Sequence, residues 1–579
     1  MKLSILFTLI ATALCAQNFE RVKPKEPTQF EGEQGTTYGP TSSAVKVTDD
    51  GDQVIIPELN GVVLTDSRTH LSDEALSHAL GGGETVNVQV PGSVYNFNVM
   101  LTNQFLGKPL TKQGLVDLKQ EILLYYRRWG RPIVTVEIPQ QKITEGILQV
   151  IVVEGKLGKV TVEGNRYFKS SRLKDYIRLH EGEAIDSNVL VADLTWINRN
   201  PFRQVDVIYG PGEIAGTTDI RLLTVDSRPW RVYGGVDNTG YDETDTTRLF
   251  VGANWANVFG LDHIFSFQAT TAPNVNRFWA LTGQYTAPLP WRDVWVFYGG
   301  YSQVQGKMET QQSALRNSGY AAQASTRYNF ILPHMPSYLH DIILGFDYKR
   351  TDNNLEFGGN EVYLHSVNLT QLALGYNGGF DNEALRFSLT VELFYSPGPW
   401  IGEQKKQDYS KVRYKAKSSY LYGRITFAPI FRLPSNFAFA LTLRGQASTQ
   451  NLLPSEQSGL GGYNTVRGYK ERQVNVDNAL LISTELRSPP LSLLKKKGYN
   501  GEMLQFLAFL DYGIGRDVRT EENVPKTEYL LSFGPGVRYE LGPYINFRGD
   551  LGIQIKQLEV ANNPKAPGFR FHFGLVASY

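Results

Sequence analysis

The sequence predicts a transmembrane β-barrel of about sixteen antiparallel strands preceded by two small α+β domains. Three observations lead there. From about Trp230 to Tyr579, apolar residues recur at every second position in run after run. In the last run Phe569, Phe571, Phe573, Leu575, Ala577 and Tyr579 share one phase, against Arg570, His572, Gly574 and Ser578, with Val576 the exception. Side chains of a strand point alternately to opposite faces, so each run has one greasy and one polar surface. Almost no helical pattern interrupts the runs, and short links alternate with long ones, as periplasmic turns and extracellular loops do. Aromatic residues make up 12% of the chain, with 31 Tyr, which suits rings placed at two membrane–water interfaces. A soluble sandwich also alternates, but this many long runs with aromatic ends fit lipid outside and water inside.

The N-terminus carries an export signal. Behind Lys2, an apolar run from Leu3 ends near Ala16 in small residues, which defines a signal peptide over 1–16. Cys15 leaves a lipoprotein alternative, although Leu14 fits poorly before a lipidated cysteine. It is the only cysteine, so the mature chain should carry neither thiol nor disulfide. No uninterrupted apolar stretch of about 18 residues occurs, so no helical membrane span is expected. A formal net charge of +1 gives no footprint for nucleic acid or a polybasic membrane surface.

Residues 17–52 are polar, rich in Pro, Gly, Thr and Glu, and read as a linker. A first α+β domain follows over 53–155. Residues 54–63 form a strand pattern, and 72–80 a short helix capped by Ser72 and stopped at Gly81. The segment 82–103 reads as extra length. A second helix over 112–129 places Leu115, Leu118, Ile122, Tyr125, Tyr126 and Trp129 on one face, and strands follow at 133–138 and 148–154. The order repeats over 156–227, with strands at 160–163, 205–209 and 218–225 and helices at 170–178 and 187–199. The barrel occupies 228–579. Its strands are expected near 230–238, 246–255, 263–271, 277–287, 294–303, 319–330, 338–350, 361–376, 384–395, 416–430, 435–448, 479–488, 501–513, 526–541, 545–557 and 568–579.

The longest link, 449–478, centres on the nine residues from Gly461 to Tyr469, in which Arg467 is the only cation. Gly461, Gly462 and Gly468 let the backbone turn tightly. In the run at 503–513, Leu504, Phe506, Ala508, Leu510 and Tyr512 form the apolar phase, so Gln505, Phe509, Asp511 and Gly513 point into the lumen. A lumen carboxylate gains by bidentate pairing with a guanidinium, and an inward-folded loop brings Arg467 within reach of Asp511. Physics alone leaves the alternative open that Arg467 is solvated.

Val466-Arg467-Gly468-Tyr469 resembles the tip signature of the inward-folded sixth loop in two-partner secretion transporters of the haemolysin secretion/activation type. The segment FLDYG, containing Phe509, Asp511 and Gly513, resembles the signature of the thirteenth strand that contacts that tip. IPQQKITEG at 138–146 followed by VVEG at 152–155 resembles the end of the first polypeptide-transport-associated (POTRA) domain, and DNTG at 237–240 the opening of the barrel. The resemblance covers the chain from about residue 53. It implies two periplasmic POTRA domains and a sixteen-stranded barrel in the outer membrane of a Gram-negative-type bacterium. It further implies export of one large adhesin- or haemolysin-like partner, unfolded in the periplasm and β-helical at the surface, and pairing of Arg467 with Asp511. An open POTRA sheet edge, at 133–138, at 148–154 or in the second domain, can accept an extended client as an added strand. A plug helix, often found in the family, has no amphipathic counterpart in 17–52.

No catalytic constellation accompanies these motifs. The eight His residues are scattered, without an HExxH pair, a second metal-ligand motif, a GxSxG elbow or a phosphate-binding glycine loop. His180 and His572 read as surface or lumen residues. No enzyme activity, cofactor, metal or nucleotide is therefore expected, and outer-membrane lipid is expected around the barrel. Two alternatives remain. A barrel-assembly factor shares the architecture but usually has more POTRA domains and a loop motif ending in Phe where this chain has Tyr469. A porin-like channel has no need of about 200 periplasmic residues.

Overall fold

The structure, a computed structural model, describes residues 22–26, 37–38, 51–71, 81–310, 313–333, 335, 337–357, 360–494, 501–520, 526–557 and 568–579. The chain forms two compact units.

The larger unit is a closed barrel of sixteen antiparallel strands, from Trp230–Asp237 to Phe569–Ser578. The sixteenth strand pairs back onto the first, with Tyr233 opposite Ser578 and Asp237 opposite Gly574, so no open edge remains. Every run expected from the alternation is one of these strands. The two phases separate as the pleat requires: Phe506, Leu510 and Phe571 are exposed on the outer face, while Phe509, Asp511 and His572 are buried within. Four strands are longer than the apolar pattern indicated: Val294–Thr310, Ser313–Ile331, Tyr338–Phe357 and Asn360–Asp381. About 9–11 residues suffice to cross a bilayer. The added length falls in sequence that does not alternate, such as QGKMET at 305–310.

Residues 22–26 line the inner wall of the first four strands. Val22 O accepts hydrogen bonds from Thr282 Oγ1 (2.6 Å) and Gln268 Nε2 (3.3 Å). Lys25 N donates to Tyr233 Oη at 2.8 Å, and Lys25 O accepts from Asn254 Nδ2 at 3.1 Å. Part of the segment read as a linker is thus seated in the barrel, held chiefly through backbone atoms that leave no side-chain signature. The remaining residues below 51, apart from 37–38, lie outside the described residues, as do the signal peptide, Cys15 and the helix expected at 72–80.

The smaller unit contains two α+β domains. In the first, a four-stranded sheet runs in the order Gly83–Val86, Gly61–Thr65, Ile147–Glu154, Val134–Glu137. Helices Val94–Gln104 and Lys112–Arg128 cover it and bury Phe97, Leu101, Leu118 and Ile122 against Leu64, Val136 and Val150. Their N-termini are capped by Ser93 Oγ, which accepts from Asn96 N, and Thr111 Oγ1, which accepts from Gly114 N.

Three expectations are corrected here. The strand read over 54–63 is two strands, Val54–Ile56 and Gly61–Thr65, in different sheets, because Pro57 removes a ladder donor between them. The segment 82–103 is not extra length, since it supplies an edge strand and a core helix. Ile147–Glu154 is not an open edge: it pairs with Gly61–Thr65 on one side and Val134–Glu137 on the other.

The second domain has helices Ser170–Asp175 and Ser187–Ile197 over a sheet ordered Thr37–Tyr38, Arg203–Pro211, Thr217–Asp226, Lys156–Glu163. Asp226 closes the turn after Lys156–Glu163 by accepting the backbone N–H groups of Arg166, Tyr167 and Phe168 at 2.7–3.1 Å.

Candidate functional site in the barrel lumen

The link between the eleventh barrel strand, Ala438–Ser448, and the twelfth, Asn478–Arg487, folds into the barrel as a small hairpin. Its arms, Ser458–Leu460 and Val474–Val476, pair antiparallel. Gly461, Gly462 and Gly468 all have φ between 92° and 109°, a region that residues with a Cβ avoid. Val466 anchors the tip in an apolar cluster with Leu460, Tyr469, Val476, Leu481 and Leu530. Gly513 makes room for it, since a Cβ there would lie 2.8 Å from Val466 Cγ2.

Arg467 is 2% exposed and Asp511, on the thirteenth strand Glu502–Arg516, is fully buried. The guanidinium binds Asp511 in a fork: Nε donates to Oδ2 and Nη2 to Oδ1, both at 2.7 Å. The Arg467 backbone N–H donates to Oδ2 as well, at 3.0 Å. Nη1 donates to Glu485 Oε1 at 2.7 Å and Nη2 to Ser483 Oγ at 3.2 Å, while Ser483 Oγ donates to Asp511 Oδ1 at 2.6 Å. The guanidinium also stacks 3.6 Å above the centre of the Phe509 ring. Each of its three nitrogens therefore donates to an acceptor, which offsets the cost of burying such a charge.

The pair sits in a wider charged cluster. Asp550, on the fifteenth strand Ile545–Gln554, accepts from Arg538 Nη1 (2.8 Å) and Arg548 Nε (2.7 Å) and lies 3.5 Å from Arg467 Nη1. Glu485 also accepts from Arg487 Nη2 at 2.7 Å. Four guanidiniums and three carboxylates from the loop and four strands thus share one patch of the lumen.

The rest of the tip is held by shape and hydrogen bonds. Gly468 N donates to His572 Nε2 at 3.0 Å, which only an unprotonated Nε2 permits, and Gly468 O accepts from Gln554 Nε2 at 2.6 Å. The Tyr469 hydroxyl lies between the carbonyls of Leu531 (2.9 Å) and Lys556, and accepts the Leu531 N–H at 3.2 Å. A Phe at this position would leave those backbone groups without that partner.

All seven residues named from the sequence meet in this site. Glu485, Asp550, His572, Ser483 and Gly552 also belong to it and were not named as such. They come from three other strands and carry no local signature; the inward phase of their own runs was the only signal. Among the described residues, no group of His, Cys, Asp and Glu is arranged to hold a metal ion.

A closed barrel with a long loop held inside its lumen, preceded in the chain by small α+β domains, is the architecture of an outer-membrane barrel protein. Residues 216–539 match the family described as haemolysin secretion/activation protein ShlB/FhaC/HecB, and residues 91–155 match the POTRA domain of ShlB type; the chain belongs to this family. Similar proteins include the heme/hemopexin transporter protein HuxB of Haemophilus influenzae, 23% identical over 455 residues, or 76% of either chain. The outer membrane transporter CdiB of Dickeya dadantii is 24% identical over 396 residues, covering 67% of this chain and 68% of that one. The structure of CdiB from Escherichia coli matches the fold with a TM-score of 0.73 at 16% identity, over 93% of this chain and 94% of that one. The protein is an outer-membrane transporter of two-partner secretion, with its POTRA domains in the periplasm and a partner exoprotein as cargo.

Proposed function

We propose that Arg467 and Asp511 hold the long loop in the register that permits export, and that an unfolded partner reaches the lumen by way of the POTRA sheets. The observation carrying this reading is the enclosed fork between the two side chains. Burying a guanidinium costs several kcal/mol unless its donors are met. A loop tip left in water would avoid that cost altogether, so the buried arrangement points to a need for position.

Strand addition is the physical route for client capture. Val134–Glu137 and Gly83–Val86 are the outer strands of the first sheet, and Lys156–Glu163 is an outer strand of the second. The partner is a large adhesin- or haemolysin-like protein that folds as a β-helix outside, and that folding drives its transfer. The transporter itself performs no catalysis and holds no cofactor. Its working parts are the signal peptide 1–16, the N-terminal segment 17–52, POTRA domains over 53–155 and 156–227, and the barrel over 228–579, embedded in outer-membrane lipid.

The test compares proteins in the medium and the outer membrane for wild type and Arg467→Ala at matched barrel levels. Loss of one large protein from the medium or cell surface is expected. A broad fall in many barrel proteins would instead identify an assembly factor, and no change would remove Arg467 from the export machinery.

A further inference from the structure

The same loop has a second attachment, eleven residues before Arg467. Glu456 is fully buried, and both its carboxylate oxygens accept from Lys349 Nζ, at 2.8 and 2.9 Å. Glu456 Oε2 also accepts from Tyr422 Oη at 2.7 Å and from Gln371 Nε2 at 3.3 Å. The cation, too, is enclosed: the Lys349 side chain is 5% exposed. Glu456 O accepts from Gln446 Nε2 at 3.1 Å.

The placement of these partners matters. Lys349 lies on the seventh barrel strand, Tyr338–Phe357, Gln371 on the eighth, and Tyr422 on the tenth. Arg467 is held by strands twelve, thirteen and fifteen. In a ring of sixteen, strands seven and fifteen are diametrically opposed. The loop is therefore fixed to two different arcs of the wall, strands seven to eleven and strands twelve to fifteen, and no hydrogen-bonding residue is shared between the two ends described here.

We propose that Lys349 and Glu456 form a separable latch that keeps the lumen closed at rest, and that the loop leaves this wall during export while Arg467 stays on Asp511. The proposal rests on the lumen being the export route. The latch is the charge pair of Lys349 and Glu456; beside it Arg424 Nη2 donates to Glu456 O at 3.2 Å, and Leu452 and Leu453 are buried in an apolar cluster. With Lys349 neutralised, the buried Glu456 carboxylate loses its direct ion-pair partner, and moving the loop toward water relieves it. The Arg467 end, with several charges and close backbone contact, has no comparable single point of release.

The experiment measures conductance of the full-length protein in planar bilayers with KCl, alongside heat-modifiability as a check on barrel folding. Lys349→Met is expected to raise time-averaged conductance on the order of ten-fold, as suits the loss of a charge-assisted contact. Adding Glu456→Gln should bring it back toward wild type, because a neutral amide can remain with Tyr422 and Gln371 without its cation. Tyr422→Phe, which strands no charge, should move conductance the same way by less, and serves if Lys349→Met fails to insert. Unchanged conductance in a folded Lys349→Met barrel, or a double variant leakier than the single, would overturn the proposal. Failure of the export reading would appear separately, as a conductance response in Lys349→Met with no protein lost from the medium in Arg467→Ala.

Discussion

Gly468 at the loop tip and Gly552 on the fifteenth strand meet backbone to backbone. A Cβ on Gly468 would lie 2.8 Å from the Gly552 carbonyl carbon, and one on Gly552 would run into the Gly468 amide. Both neighbours are backbone, so neither can turn aside. Gly468 also has φ of +92°. Gly552→Ala, remote from Arg467 in sequence, should therefore lift the tip and lower export by about ten-fold or more, a 1.4 kcal/mol effect. Secretion assays at matched barrel level check it, and normal export would show that the close approach is dispensable.

Tyr469→Phe probes the hydroxyl between Leu531 and Lys556. It keeps the ring in its apolar cluster and removes a hydrogen bond worth about 1 kcal/mol. A fall in export of a few-fold is expected, smaller than that of Arg467→Ala. An equal loss would mean that the hydroxyl, and not the fork, fixes the tip.

Leu118→Ala removes a fully buried side chain from the first POTRA core. A cost of about 2–5 kcal/mol is expected. Limited proteolysis of the periplasmic part should accelerate while the barrel's heat-modifiability stays as in wild type. Joint loss of both would show that the two parts do not fold independently.

Asp226→Ala leaves the N–H groups of Arg166, Tyr167 and Phe168 without their carboxylate. The turn is partly exposed and water replaces part of the loss, so about 1–3 kcal/mol of second-domain stability should go. Asp226→Asn, which keeps one acceptor, should recover part of it in denaturant unfolding.

The barrel was legible in the sequence because lipid imposes period two on every strand that crosses it. Legibility stopped where the alternation stops, at the polar ends of Val294–Thr310 and Asn360–Asp381. The helix Val94–Gln104 was missed for a different reason. Its sequence, VYNFNVMLTNQ, is rich in Asn and β-branched residues with poor helix propensity, and it is held by burial of Phe97 and Leu101 against the sheet. In the lumen, Arg467 and Asp511 could be named because each lies in a distinctive local motif. Glu485, Asp550 and His572 could not, since only closure of the barrel brings strands twelve, fifteen and sixteen to one tip. Residues 22–26 were read as linker because most of their contacts run through backbone atoms, which any sequence possesses.

The most direct measurement of the central claim is a double-mutant cycle on export. Secretion of the partner is quantified for Arg467→Ala, Asp511→Ala and the double variant at equal barrel levels. If the two side chains act as one anchor, both single variants lose export with the barrel still inserted, and the double variant is no worse than the poorer single. Losses that multiply in the double variant, or barrels missing from the membrane, would contradict it.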